Sequence, residues 1–195
     1  MLRGPTDECR PKKCRALRVQ RPDLTDNVGM PARSFDDAHA FHRGMRAFAA
    51  TKAGRVLFRP TAHRFDLLVS RLTRGKRSFA GIAAGLPAVI LTTTGAKSGK
   101  DRTVALLGIP HSDGVAVVAA NYGGSKHPAW YHNLNANPAA TVTIEGDTWP
   151  ATARRATPHE REDIWAHGVA LYPGLANEQM WAVDRCIEAF VLSRK

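Results

Sequence analysis

From Pro87 onward the apolar residues fall into short runs with a period near two: AVILTTT at 88–94, RTVALLGI at 102–109, VAVVAA at 115–120, ATVTIE at 140–145, TWPATARR at 148–155 and CIEAFVL at 186–192. Side chains alternate across a strand, so each run predicts a short strand with one buried face. Asp113-Gly114 and the pair Gly146 and Asp147 carry the composition of hairpin turns. Upstream the period changes to that of a helix. Phe41, Met45 and Phe48 share one stripe behind a capping-box spacing at Ser34 and Asp37, and Phe65, Leu68, Val69 and Leu72 form a second stripe after Thr61 that Gly75 stops. Short helices are also expected from Pro128 to just before Pro138, from Thr157 to Leu171, and once more after Pro173-Gly174. Thr157, Pro158 and Glu160 have the order of a capped helix start.

Six short, mostly antiparallel strands inside a shell of helices make an α+β fold. Closure into a small split β-barrel is the natural way to remove the sheet edges. Residues 1–33 are rich in Arg, Lys and Pro without periodicity and read as a flexible basic arm, with 34–195 as a single domain that carries its N-terminal helices over 34–75.

Composition adds one fact of weight. The 195 residues carry a net charge of +11, which favours an anionic partner: a nucleic acid, an acidic membrane surface or a polyanionic small molecule. No helix-turn-helix, RNA-recognition motif or zinc finger accompanies the charge, so a nucleic-acid partner is not expected. The longest apolar run is broken by Pro87, well short of the roughly 20 residues that span a bilayer. A cytoplasmic protein is therefore expected, touching the inner face of a membrane from the side if at all. Cys9, Cys14 and Cys186 read as incidental, and the histidine pairs His39/His42 and His127/His132 lack the company of a third ligand, so no metal site is expected.

Two stretches carry candidate chemistry. LTTTGAKSGKDRT at 91–103 is not an ATP-type phosphate loop: three residues, not four, separate Gly95 and Gly99, Asp101 follows Lys100, and a strand comes next. Its Lys97, Lys100 and Arg102, with the Ser98 hydroxyl and backbone amides of the glycine turn, form a candidate anion site; the plain alternative is a solvated hairpin. In NYGGSKHPAWYHNLNAN at 121–137, Gly123-Gly124 would let backbone approach a flat ligand walled by Trp130 and Tyr131, the plain alternative being two core aromatics.

Together LTTTGAKSGKDRT and HPAWYHNLNANP resemble the deazaflavin-dependent nitroreductase family of actinobacteria, over about residues 60–192 and including LYPG at 171–174. The resemblance implies a split β-barrel that binds 8-hydroxy-5-deazaflavin, coenzyme F420, in preference to FMN. Carried over by position, Lys97, Ser98, Gly99, Arg102 and Thr103 would hold the phosphate region. Asn121, Gly123 and Gly124 would border the ring, Pro128, Ala129 and Trp130 would pack beside it, and Lys126 would reach the acidic tail. The implied activity is hydride transfer from the reduced coenzyme to a hydrophobic quinone, enone or nitro compound, with Tyr172 and then Tyr131 as proton donors and His127 behind them. No tyrosine follows Tyr172 in the chain, which argues against bulky nitroimidazoles and keeps open a non-catalytic carrier of the coenzyme or of a lipid. The resemblance also allows a homodimer.

Overall fold

The computed structural model describes residues 34–54, 56, 69, 84–182 and 185–195. The basic arm, the helix expected after Thr61 and, apart from Lys52, the basic residues Arg55, Arg59, Arg64, Arg71, Arg74, Lys76 and Arg77 lie outside these residues.

Among the described residues seven strands form one antiparallel sheet: β1 Ala88–Thr94, β2 Asp101–Leu107, β3 Ile109–His111, β4 Gly114–Val118, β5 Ala139–Ile144, β6 Asp147–Arg155 and β7 Ala189–Arg194. Their spatial order is β2-β1-β5-β6-β7-β4-β3. The two outermost strands are consecutive in sequence, joined only by Gly108. The run expected as one strand, RTVALLGI, is thus bent at Gly108 and serves both ends of the sheet, which accounts for seven strands instead of six. The bend is tied down where the Gly108 N–H donates to the Pro87 carbonyl at 2.9 Å. Covalent continuity thereby curls the sheet into the expected split barrel without a hydrogen-bonded seam.

Strand alternation fills the inside. Val89, Leu91, Val115, Val117, Val142, Trp149, Phe190 and Leu192 form the central core. Outside, Ile109, Ala116, Ala189 and Val191 receive Ile164 and Leu171. These last two belong to α3, which runs Pro158–Leu171 after α1 Ala40–Ala49 and α2 Ala129–Ala136; α4 is Gly174–Trp181. The α3 start is the expected one. The Thr157 side chain accepts from the Glu160 N–H, and the Glu160 carboxylate accepts from the Thr157 N–H at 2.8 Å. The same carboxylate takes a bidentate pair of bonds from Arg154, whose hold keeps its pKa well below the usual carboxylate range. Pro173-Gly174 ends α3 and at once opens α4.

The N-terminal segment departs from expectation. The Asp37 N–H does donate to the Ser34 hydroxyl, but this closes a turn, and the helix begins only at Ala40. The apolar stripe of α1 is not its buried face: Phe41 is 68% and Phe48 43% exposed, whereas Arg46 is 1% exposed. The reason is a deficit of backbone donors. The Arg46 guanidinium donates to the carbonyls of Ala84 at 2.7 Å, Gly85 at 2.7 Å and Leu171 at 2.9 Å, oxygens at the approach to β1 and the end of α3 that have no other backbone donor among the described residues. A hydrophobicity pattern cannot register such a need.

Cys186 corrects the reading of all three cysteines as incidental. It is disulfide-bonded.

Candidate active site

The antiparallel register of β1 and β2 sets Thr94 opposite Asp101, so residues 95–100 must close a tight connection. Gly95 donates to the Lys100 carbonyl at 2.9 Å, while Ser98 and Gly99 donate back to the Gly95 carbonyl. Gly99 sits at φ +64, and a β-carbon on Gly95 would fall 2.6 Å from the Ser98 hydroxyl, so both glycines are demanded by the turn itself. The amides of Gly95, Ser98 and Gly99 are consumed inside the loop, and that of Lys100 faces the Ser98 hydroxyl. This corrects the expectation of a backbone amide nest. What the loop offers is side chains: Lys97, Ser98, Lys100 and Arg102 are all exposed. Among the described residues no carboxylate pairs with Lys97, Lys100 or Arg102, so three cations stand within six positions on a stiff turn. Thr103 lies one residue further along β2 and shares a 2.9 Å hydroxyl contact with Thr92.

The brace beneath the loop escaped the sequence reading. Asn133, on α2 and only 6% exposed, accepts from the Ala96 N–H at 3.0 Å and donates to the Thr93 hydroxyl at 3.0 Å. Thr93 in turn faces the Arg102 carbonyl. One buried amide therefore couples the middle of the loop to the strand that carries Arg102. A signal existed in the asparagine-rich NLNAN, where an amide group on the inner face of a short helix asks for partners. Asn133→Leu is expected to weaken anion binding at the loop about tenfold by loosening its geometry, with Asn133→Asp retaining more because it keeps the acceptor for the Ala96 N–H while losing the donor to Thr93. Amide exchange at Ala96 checks the cause: protection in the parent should disappear in the leucine variant.

At the other end of α2 the aromatics divide. Trp130 is 5% exposed and meets Phe190 edge-on at 5.9 Å, so it is a core residue supporting the site from below. Tyr131 is half-buried, and His127 lies flat on it at 4.0 Å. Its hydroxyl accepts from Arg155 at 3.0 Å. Pro128 caps α2, with Ala129 exposed at its first position.

Preceding α2, residues Asn121, Tyr122 and Gly123 all lie at positive φ, +52, +53 and +66. The first two carry β-carbons, for which the left-handed region costs roughly 1–2 kcal/mol per residue. Such strain persists only where the surroundings impose it. The Asn121 side chain donates to the Lys126 carbonyl at 2.8 Å, leaving the Lys126 side chain exposed. Gly123 also answers a packing need: a β-carbon there would meet the Trp181 β-carbon at 2.6 Å and the Glu178 carbonyl at 2.8 Å, so its bareness lets the turn press against α4. Gly124 is buried too, its carbonyl accepting from Arg185 at 2.9 Å.

Tyr172 closes α3 and packs beside Leu175, Ala182 and Ile187. Burial, then the Glu178 carboxylate and Tyr122, pushes its hydroxyl well above the ordinary phenol range, so it stays protonated at any physiological pH. The Glu178 it senses also lies against Gly123 of the left-handed turn. Tyr131 reaches the same turn through His127.

A family of F420H(2)-dependent quinone reductases matches residues 67–194. The chain belongs to that family. Its members are enzymes, and their cofactor, coenzyme F420, is the cofactor of this chain. Among relatives, the F420H(2)-dependent quinone reductase Rv1261c of Mycobacterium tuberculosis is 36% identical over 74 residues, 38% of this chain and 50% of that one. The chain thus spans about half the length of that relative. Rv3178 of the same organism, to which the same activity is provisionally assigned, is 34% identical over 113 residues, covering 58% of this chain and 94% of that one. A solved F420-H2 dependent reductase (FDR-A) is 42% identical with a TM-score of 0.50, over 55% of this chain and 94% of its own. A second solved chain, a domain-swapped dimer, is 36% identical with a TM-score of 0.52, over 65% and 95%.

The residues present fit the coenzyme. A phosphodiester stem needs clustered cations free of carboxylates, and the 95–102 loop has that donor set; a planar ring needs neighbours that do not shift, and the braced 121–124 turn and Tyr131 are of that kind.

Proposed function

We propose that the protein transfers hydride from reduced F420 to a hydrophobic quinone, with Lys97, Ser98 and Arg102 holding the phosphate-bearing stem and the Asn121–Gly124 turn and Tyr131 bordering the ring. The observation that carries this reading is the cationic loop, stiffened by Asn133 and without a carboxylate partner among the described residues. When bound, the coenzyme supplies the hydride; the chain's residues bind, orient and exclude water. Lys97 and Arg102 anchor the stem by charge-assisted hydrogen bonds. Tyr172, held protonated, supplies a hydrogen bond to an acceptor oxygen, and the half-buried Tyr131 offers a second hydroxyl, already fixed in direction by Arg155. The test is direct: the protein should quench deazaflavin fluorescence at micromolar coenzyme and oxidise it on addition of menaquinone. Binding with no turnover across quinones and enones would instead favour a carrier.

Contact with an anionic membrane belongs to the same proposal. Among the described residues no helix is long and apolar enough to cross a bilayer. The exposed Phe41 and Phe48 on α1, with the net charge of +11, support docking from the side, where a quinone would be met. Sedimentation with vesicles rich in phosphatidylglycerol should carry the protein down, and Phe41→Ser with Phe48→Ser should release at least half of it. A homodimer has the support of the domain-swapped relative, and light scattering decides it.

A further inference from the structure

The left-handed turn at Asn121–Gly123 is held from outside as well as within, and one side chain spans it. The Arg185 guanidinium donates from Nε to the Gly124 carbonyl at 2.9 Å, from one terminal nitrogen to Ala119 at 2.8 Å, and from the other to Ala120 at 2.6 Å. These oxygens bracket the strained residues on both sides. A planar fork with five donors in fixed directions suits this task, whereas a lysine ammonium could not span it. Arg185 is itself held by its own backbone, its N–H donating to the Ala182 carbonyl and its carbonyl accepting from Gln179.

The same guanidinium faces a second group. Its terminal nitrogen lies 3.4 Å from Nδ1 of His127. A guanidinium can only donate, so this contact is a hydrogen bond when Nδ1 is the bare, accepting nitrogen and the ring's proton sits on Nε2. Every charge facing His127 acts in the same direction. Burial, Arg185, His132 and Arg155 all hold its basicity below the ordinary histidine value.

We propose that Arg185 is the positioning residue of the ring end of the site, its guanidinium holding the left-handed Asn121–Gly124 turn in place and fixing His127 as a neutral Nε2–H donor stacked on Tyr131. The inference rests on the coenzyme reading above for its effect on affinity, but not for its structural content. A guanidinium that served only to fill space would be replaced by Met with little consequence for the imidazole or the turn.

The test uses Arg185→Lys and Arg185→Met in the full chain, followed by two measurements. The first needs no coenzyme: nitrogen-detected NMR of His127 should show the Nε2–H tautomer in the parent, and in Arg185→Met the ring's titration midpoint should rise toward the ordinary histidine value while the amides of Gly123 and Gly124 lose exchange protection. The second is coenzyme affinity by fluorescence, expected to weaken roughly tenfold or more in Arg185→Met and by a smaller factor in Arg185→Lys, with the rate at saturating coenzyme changed far less. Should Arg185→Met not fold, Arg185→Lys carries both measurements. An unmoved His127 titration with unchanged amide protection overturns the proposal, as does parent-like affinity in both variants. If the parent itself does not bind the coenzyme, the coenzyme reading fails, and the NMR measurements still decide whether Arg185 governs the turn and the imidazole.

Discussion

Replacing Lys97 and Arg102 together by alanine is expected to weaken coenzyme binding by at least about a hundredfold. Each charge-assisted hydrogen bond to a phosphate is worth about 1.5–3 kcal/mol, or roughly ten- to a hundredfold in affinity. The two do not add in full, because they would share one anion. Both side chains are exposed and unpaired by carboxylates among the described residues, so their removal leaves no buried charge behind and the thermal midpoint should move little. Fluorescence titration at two salt concentrations checks the cause. The parent should lose affinity steeply as salt rises and the double variant only slightly, since the screened interactions are then already missing. A double variant that binds as tightly as the parent would mean that the loop is an ordinary hairpin.

The second large effect concerns stability. Arg46→Met is expected to cost about 2–4 kcal/mol, which for a protein of this size lowers the thermal midpoint by roughly 5–15 °C. Methionine fills most of the volume and removes the desolvation of a buried cation, which offsets part of the loss. It leaves the carbonyls of Ala84, Gly85 and Leu171 without their donors, and unmet buried acceptors dominate the balance. Arg46→Lys should fall between, because an ammonium cannot reach three divergent oxygens. Calorimetry measures the shift. Coenzyme affinity of the folded variant should remain at the parent value, which separates a brace of the fold from a member of the site. A melting point within a degree of the parent would show that these carbonyls find other donors.

The two arginines that the structure singles out illustrate one limit of reading by pattern. Arg46 and Arg185 both answer backbone carbonyls that lie far away in the chain: Leu171 is 125 positions from Arg46, and Ala120 is 65 from Arg185. Nothing local to either arginine distinguishes it from a solvated charge. Asn133 is similar, its partners Ala96 and Thr93 being 37 and 40 positions away. In contrast, the Thr157–Glu160 capping box is legible because its whole chemistry lies within four residues.

By itself the sequence determined what depends on neighbours along the chain. The strand runs, the capped start of α3, the cationic 95–102 loop and the two motifs that mark the family all follow from local spacing, because strand alternation and turn chemistry act over a few residues. Only the tertiary structure decided where those pieces meet. It bent one run at Gly108 to serve both ends of the sheet, turned Arg46 inward and the phenylalanines of α1 outward, placed Trp130 in the core and Gly123 against α4, and set an arginine fork over a left-handed turn. Each of these depends on which distant oxygens lack donors and which surfaces happen to touch, and that is settled by packing across the barrel.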